Sequence, residues 1–327
     1  MGSRHLEMGG VSDRIVAVFP GQGSQNVGMG VDVAARSDAA RAIFERARTV
    51  LGYDLLAMQA AGPDEKLRET QFSQPAIFVT NVALYEAVGD ALSPVATAGH
   101  SFAEFCSLVI AGSLTFEDAL QIVDERGKAM QAAAEMARGG MSAVLGLDAD
   151  RVRTVVEETR AAGGGRLQLA NFNSPTQIVV SGDLEAVRRA GDAMLSAGAK
   201  RVVPLNVSGA WHSELMQPAV ERFAAAVERA GFEIPRFDVI SNVDAQPYRD
   251  VASIKRNLVG SIVHEVRWHE TALRLLSYDP GMVVEFGASA VLGPLMRRLP
   301  AAPQVAVVAD WPGVEKLRGM LESAVQA

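Results

Sequence analysis

The sequence contains one cysteine, few aromatic residues and no excess of positive charge. A single cysteine, Cys106, in 327 residues excludes a disulfide framework and a thiolate metal cluster, and it favours a reducing cytoplasm. The net charge of −7 indicates no general attraction to nucleic acid or to an anionic membrane. No apolar run approaches the roughly 20 residues that span a bilayer. We therefore expect a cytoplasmic protein without nucleic-acid or membrane partners.

The order of predicted strands and helices indicates an α/β fold with a small inserted domain. Strands and helices alternate at long spacing near both ends of the chain, which is typical of a parallel sheet. Between them a β-α-β-β-α-β order predicts a ferredoxin-like unit. We predict a parallel-sheet, α/β-hydrolase-like catalytic domain from residues 11–138 and 208–327, and a ferredoxin-like inserted domain at 139–207. Residues 1–10 lack the apolar core of a signal peptide and resemble the remnant of an expression tag.

Ser101 lies between a short apolar run, Val95–Ala98, and a helix-forming stretch. A serine on a strand-to-helix turn can present its hydroxyl as a nucleophile, with the first free N–H groups of the helix nearby. The alternative is an ordinary serine that caps the helix. The usual pattern is Gly-x-Ser-x-Gly, and here Ala103 replaces the second glycine.

A nucleophilic serine needs a base, which is normally a histidine. His212 lies in the loop that follows the predicted inserted domain, and this loop can lie over a cleft between the two domains. The alternative is a histidine on a surface loop. His100 is adjacent to Ser101, so the two side chains are expected to face opposite ways.

Arg126 shares one face of a predicted helix with apolar residues at helical spacing, such as Ile122 and Met130. An inward-facing guanidinium must find an anion. The partner is either a structural carboxylate, such as Asp124 or Glu125, or a substrate carboxylate held by two parallel hydrogen bonds.

The glycine-rich segment Gly21–Gly28 follows a predicted strand. Its third glycine comes too late for a dinucleotide-binding motif. A tight loop that offers backbone N–H groups to an oxyanion is the better interpretation.

Several segments, each weakly specific alone, together resemble the malonyl-CoA:acyl carrier protein transacylase family. The resemblance covers almost everything from about Arg14 to Leu299. The segments are, in chain order, Phe19–Gln25, Gly99–Glu104, Arg126–Gln131, Asn171–Pro175, Val207–Met216, Ser241–Val243 and Val284–Gly287.

The resemblance implies a catalytic dyad in which Ser101 is the nucleophile and His212 its base. The family orients this histidine with backbone carbonyls, and the carbonyl of Ser261 is the expected one. A glutamine often stands at this position in the family, but a carbonyl is independent of the side chain. The backbone N–H groups of Gln22 and Phe102 would form the oxyanion hole.

The resemblance also implies three substrate-binding residues. Arg126 would hold the free carboxylate of a malonyl group, and Asn173 would line the cleft between the domains. Trp211 stands beside the histidine, where malonyl-selective members commonly carry phenylalanine, so the acyl pocket is expected to differ there.

The implied function is an acyltransferase that moves a malonyl or related group from CoA to the phosphopantetheine thiol of an acyl carrier protein, in polyketide or fatty-acid biosynthesis. The partners would be the carrier protein and a CoA thioester, with the chain as a monomer. No metal or redox cofactor is expected. Three alternatives stay open: a discrete polyketide-synthase acyltransferase with an unusual acyl group or a carrier-protein donor, a hydrolase of carrier-protein thioesters, and a non-catalytic carrier-protein-binding module.

Overall fold

The computed structural model describes residues 14–90, 92–163 and 165–325, which contain two β-sheets. The expected tag remnant, residues 1–10, lies outside the described residues. The strands are β1 (Ile15–Phe19), β2 (Pro94–Gly99), β3 (Gly139–Leu145), β4 (Leu167–Ser174), β5 (Gln177–Asp183), β6 (Arg201–Pro204), β7 (Asp238–Val239), β8 (Met282–Phe286) and β9 (Gln304–Val308).

Fourteen α-helices accompany the strands in this part of the chain, and none of them is both long and apolar enough to cross a membrane. They are α1 (Val31–Arg36), α2 (Asp38–Leu51), α3 (Leu55–Ala61), α4 (Asp64–Arg68), α5 (Thr70–Val88), α6 (Glu104–Ile110), α7 (Phe116–Met136), α8 (Ala149–Ala161), α9 (Leu184–Ser196), α10 (Gln217–Arg229), α11 (Val251–Gly260), α12 (Trp268–Leu276), α13 (Gly293–Met296) and α14 (Trp311–Val325).

The larger sheet is parallel and has the order β7-β2-β1-β8-β9. Successive side chains of its central strand β1 face opposite cores, as the pleat of a strand requires. Ala17 and Phe19 pack with α5, α6 and α7, whereas Val16 and Val18 pack with α12 and α13. Both faces are therefore covered by helices, and the predicted parallel-sheet α/β class is confirmed.

The smaller sheet is antiparallel, with the order β4-β5-β3-β6. Its chain order β3-α8-β4-β5-α9-β6 is the β-α-β-β-α-β order that the sequence predicts. Apolar side chains of both helices and of the strands form a separate core. A small inserted α/β unit is thus present, while the exact limits 139 and 207 stay a prediction.

The two sheets are joined beside the carboxyl end of β2. The backbone N–H of Phe172 in β4 donates to the carbonyl of Val266 at 2.9 Å, and the N–H of Val266 donates to Ala170 at 2.8 Å. A short parallel bridge therefore fixes the small sheet to the segment that leads into α12.

The sequence predicts helix caps at Ser37 and Thr115, and both residues precede helices in the structure. The hydroxyl of Ser37 accepts a hydrogen bond from the N–H of Ala40, and that of Thr115 accepts one from the N–H of Asp118. Each bond satisfies a backbone donor that has no partner within the helix. The short helices α1, α3 and α4 were not predicted, because segments of five to seven residues are too short to show a helical period.

The sequence predicts a long helix from Ser73 towards Leu92, because Pro75 is tolerated in a first turn, whereas α5 spans Thr70–Val88. The N–H of Ser73 already donates to the carbonyl of Glu69 at 2.8 Å, so the first turn is complete before Pro75. Proline in the second turn removes one helical hydrogen bond only. The helix ends at Gly89, whose φ of 82° lies in the region that glycine adopts without a steric penalty.

Gly99 is the position at which strand β2 and helix α6 approach most closely. A Cβ atom on Gly99 would lie 1.9 Å from the carbonyl oxygen of Ala103. Ala103 itself carries its methyl group into the main core. The absence of a second glycine at position 103 is therefore harmless, because only Gly99 must lack a side chain for the turn to form.

We expect Gly99→Ala to destabilise the protein by about 3 kcal/mol, because the added methyl group overlaps backbone that cannot move away. Gly319→Ala is the matched control, since a Cβ there meets no atom within 4 Å. Thermal or denaturant unfolding of both variants measures the difference. Equal stability of the two variants would contradict the close approach.

Candidate active site

Ser101 lies on the turn between β2 and α6, at the carboxyl end of a central strand. Ligands of parallel α/β sheets bind at this edge. The backbone φ of Ser101 is 57°, a left-handed conformation that is uncommon outside glycine. A strained residue of this kind persists only where its surroundings enforce it, and such residues cluster at functional sites. We call the segment Gly99–Glu104 the elbow.

The side chain of His212 meets Ser101 directly. Its Nε2 lies 2.8 Å from the Ser101 Oγ. On the other side of the ring, Nδ1 lies 2.8 Å from the carbonyl oxygen of Ser261 and 3.2 Å from that of His264. Carbonyls only accept hydrogen bonds, so they favour the tautomer with the proton on Nδ1. Nε2 is then free to accept the serine proton.

The electrostatic surroundings of His212 favour the neutral ring. Burial and the nearby positive charge of Arg126 lower the pKa of His212 to about 3, against the opposing effect of the hydrogen bond to Ser261. A neutral imidazole near neutral pH is the form that can act as a base. His212 also has a left-handed backbone, with a φ of 58°.

Arg126 projects from α7 into the same site. Its Nη2 donates to the Ser101 Oγ at 3.3 Å, and its Nη1 donates to the Gln74 Oε1 at 2.9 Å. Its side chain is 1% exposed and its Nε has no partner in the described part of the chain. Burial lowers the pKa of Arg126 to about 9, so the group stays a cation at neutral pH.

The structure removes one of the two alternatives for Arg126. Asp124 pairs with Lys128, and Glu125 pairs with Arg222. Within residues 14–325, apart from the two that are not described, no carboxylate forms an ion pair with Arg126. The guanidinium is thus a buried cation without a protein counter-ion in contact.

Two backbone N–H groups near Ser101, those of Gln22 and Phe102, donate to no acceptor among the described residues. The Gln22 loop packs tightly on the elbow, because a Cβ on Gly21 would lie 2.6 Å from the carbonyl oxygen of His100. The side-chain amide of Gln22 donates to Thr70 at 3.1 Å and holds the loop in place. These free donors are available to a ligand oxygen.

A cavity of about 280 Å³ opens on Ser101 and reaches both domains. Arg126 and His212 contribute polar groups to its wall, and Met130 and Met141 contribute apolar ones. Its rim carries the exposed side chain of Arg68. An apolar pocket with a few convergent polar groups is the usual form of a small-molecule site.

Trp211 and Asn173 are placed differently with respect to this cavity. Trp211 lines it, and its wide ring packs on Gly209, where a Cβ would lie 2.6 Å from the indole. The Oδ1 of Asn173 instead lies 3.0 Å from the His100 Nε2. The lining residue from β4 is Asn171, two positions earlier. Substrate contact by Asn173 stays a prediction.

Sequence reasoning assigned no role to Asn242, Glu104 or Gln168, and all three contact the site. Asn242 and Glu104 brace the elbow. The side-chain amide of Gln168 donates to the carbonyl of His212 at 3.0 Å and to that of Val263 at 2.9 Å. Asn242 and Glu104 lie in segments that carried the family resemblance, which was the one available signal.

Residues 16–305 match the model of the acyl transferase domain family. The chain is 40% identical over 285 residues to the malonyl CoA-acyl carrier protein transacylase of Salmonella typhimurium, covering 86% of this chain and 91% of that protein. It is 36% identical over 303 residues to the Bacillus subtilis protein of the same name, covering 92% and 95% of the two chains.

Solved structures agree with this result. A malonyl-transacylase in complex with the holo acyl-carrier protein of a type II polyketide synthase matches with a TM-score of 0.89 and 37% identity, over 94% of this chain and 99% of that one. The transacylase of Coxiella burnetii matches with a TM-score of 0.90 and 34% identity, over 95% and 98%. The chain is therefore an acyltransferase and belongs to the malonyl CoA-acyl carrier protein transacylase family.

We expect Arg126→Ala to raise the pKa of His212, because a neighbouring cation disfavours protonation of the ring and its removal relieves that effect. An NMR titration of isotope-labelled histidine side chains measures this pKa in both proteins. Arg222→Ala is the control, since Arg222 is an exposed residue paired with Glu125. An unchanged His212 titration in Arg126→Ala would contradict the coupling.

Proposed function

We propose that this acyltransferase moves a malonyl group from malonyl-CoA to the phosphopantetheine thiol of an acyl carrier protein, through an ester on Ser101. The observation that carries the proposal is the contact of the Ser101 Oγ with both the base His212 and the unpaired cation Arg126. A serine nucleophile beside an unsatisfied guanidinium fits an acyl group with a free carboxylate. The names of the related proteins support the same substrate pair.

In the first half-reaction Ser101 attacks the thioester carbonyl while the Nε2 of His212 takes its proton. The C–S bond breaks, and CoA leaves as the thiol because His212 passes that proton to its sulfur. In the second half-reaction His212 takes the proton of the carrier-protein thiol, and the resulting thiolate attacks the ester carbonyl. The ester C–O bond breaks, and the protonated His212 returns that proton to the Ser101 oxygen. The Ser261 carbonyl keeps the ring in the required orientation. A thioester becomes an ester and then a thioester again, so the chemistry requires no metal or redox cofactor.

The N–H groups of Phe102 and Gln22 are proposed as the donors to the tetrahedral oxyanion. The N–H of Ser101 is not available, because it donates to the Oδ1 of Asn242 at 2.7 Å. By analogy with deletion of an oxyanion donor in other enzymes, each bond is worth about 3–4 kcal/mol in the transition state.

The carboxylate of the malonyl group is proposed to bind Arg126 in a bidentate manner, since the planar guanidinium matches a carboxylate. The bound anion would also screen the positive charge that depresses the pKa of His212. The correct substrate would then make its own base stronger. Trp211 and Asn173 are proposed to shape the acyl pocket around this group.

The acyl carrier protein is the proposed macromolecular partner, and the chain is proposed to act as a monomer in the cytoplasm. Cys106 supports a reducing compartment, because it is a free thiol whose pKa is raised by complete burial. It lies in α6 and takes no part in the proposed reaction.

Intact-protein mass spectrometry after incubation with malonyl-CoA tests the covalent step. We expect the wild-type protein to gain the mass of one malonyl group and Ser101→Ala to gain none. Ser277→Ala, which changes an exposed serine, should be acylated like the wild type. An adduct that persists in Ser101→Ala would place the nucleophile elsewhere.

We expect Arg126→Ala to change the preference for malonyl-CoA over acetyl-CoA by roughly 10- to 150-fold in favour of the neutral donor, because a charged hydrogen bond is worth about 1.5–3 kcal/mol. The ratio of kcat/KM values for the two donors measures this effect. Arg222→Ala serves as the surface control. An unchanged ratio would remove the carboxylate contact from the proposed mechanism.

A further inference from the structure

The side chain of Asn242 contacts the elbow on both sides of His100. Its Oδ1 accepts a hydrogen bond from the N–H of Ser101 at 2.7 Å, and its Nδ2 donates to the carbonyl of Gly99 at 2.8 Å. Asn242 is 1% exposed, so both bonds are shielded from water. The asparagine therefore binds the backbone immediately before and at the strained serine.

These two bonds replace the pair of backbone hydrogen bonds that one residue of a neighbouring parallel strand would make. The ladder between β2 and β7 ends with the N–H of Ile240 donating to the carbonyl of Thr97 at 2.9 Å. One residue of a neighbouring parallel strand would accept from the N–H of residue 101 and donate to the carbonyl of residue 99. The carboxamide of Asn242 makes this same pair of bonds, and so it extends the sheet as far as Ser101.

A buried carboxylate holds Asn242 in turn. The backbone N–H of Asn242 donates to the Glu104 Oε2 at 2.9 Å, and the hydroxyl of Tyr248 donates to the other oxygen of Glu104. The three side chains are at most 4% exposed. Because Glu104 is the first residue of α6, the network joins the start of this helix to the loop that carries Asn242.

We propose that Asn242 is a positioning residue of the acyl transfer: its carboxamide fixes the left-handed backbone of Ser101 and thereby aims the Oγ at His212. It also occupies the N–H of Ser101, which leaves Phe102 as the elbow's oxyanion donor. Asn242 itself touches neither base nor substrate. This inference rests on the role proposed above for Ser101.

Asn242→Ala removes both elbow bonds. We expect the rate of Ser101 acylation by malonyl-CoA to fall by about 10- to 100-fold, which corresponds to the loss of a buried hydrogen bond. The KM should change little, since Asn242 does not contact the substrate cavity. Single-turnover acylation, followed by rapid-quench mass spectrometry, measures the rate per folded molecule.

Asn242→Asp separates positioning from folding. A protonated aspartic acid has the shape of asparagine and offers one donor and one acceptor, whereas the ionised form loses the donor and repels Glu104. We therefore expect its acylation rate, relative to wild type, to rise as the pH falls from about 8 to about 5.5. The pKa of His212 is about 3, so the base stays neutral in this range. Burial raises the pKa of Glu104 to about 7, so this carboxyl group titrates in the same range in the wild type, and the rates are therefore compared with wild type at each pH. The other ionisable groups around this position are Asp244, Tyr248, Arg126 and Arg267.

Asn257→Asp is the matched control. Asn257 is also a buried asparagine that donates to the same loop, at Ser241 and the carboxylate of Asp244, but it has no contact with the elbow. It should lose stability without any recovery of the acylation rate at low pH. An equal pH response of the two aspartate variants, or an Asn242→Ala rate within about threefold of wild type, would overturn the proposal.

A fluorophosphonate probe, which phosphonylates activated serines with loss of fluoride, provides a second measurement on the same variants. If the wild-type protein reacts with the probe but not with malonyl-CoA, the proposed substrate is wrong. The probe still measures the reactivity of Ser101, so the role of Asn242 can be tested in that case as well. The rate of probe labelling should then show the same loss in Asn242→Ala and the same recovery in Asn242→Asp at low pH. Equal labelling of wild type and Asn242→Ala would refute the positioning role.

Discussion

The buried charge of Arg126 determines the chemistry of the whole site. A guanidinium removed from water without a carboxylate partner is unfavourable, and among the described residues only the Gln74 and Ser101 side chains form hydrogen bonds with it. Its charge lowers the pKa of His212, and the charge of Glu104, the last residue of the elbow, partly opposes the lowering of the pKa of Arg126 by burial. Arg126 is thus a buried cation that lacks a counter-ion until an anionic ligand binds. A site of this kind discriminates among acyl groups by charge before it discriminates by shape.

The second constraint is steric and acts on the backbone of the elbow. Ser101 keeps its left-handed conformation because Gly99 allows strand and helix to touch, and because Asn242 closes the last rung of the sheet. These two requirements come from residues far apart in the chain. The elbow is therefore a product of the tertiary fold and not of the local sequence alone, which explains why an alanine at position 103 does not disturb it.

The sequence predicted the parts of this structure that follow from local periodicity. The caps Ser37 and Thr115 and the inward face of Arg126 follow from patterns within single helices. The family resemblance predicted that Ser101, His212 and Ser261 lie together in the site. The bonds of Asn242 and Gln168 could not be predicted, because each joins segments more than 40 residues apart and amide side chains carry no periodic signal. The start of α5 was missed because Pro75 resembled a first-turn residue.

Gln168 links the two domains at His212. This residue belongs to the small sheet, yet its amide holds the carbonyl of His212 and that of Val263, while Ser101 stands on the large sheet. His212 is thus tied to both domains: its ring to the carbonyls of Ser261 and His264 in the large domain, and its backbone carbonyl to the small sheet through Gln168. A motion that separated the two sheets would therefore have to break the bonds of Gln168 or displace the backbone of His212.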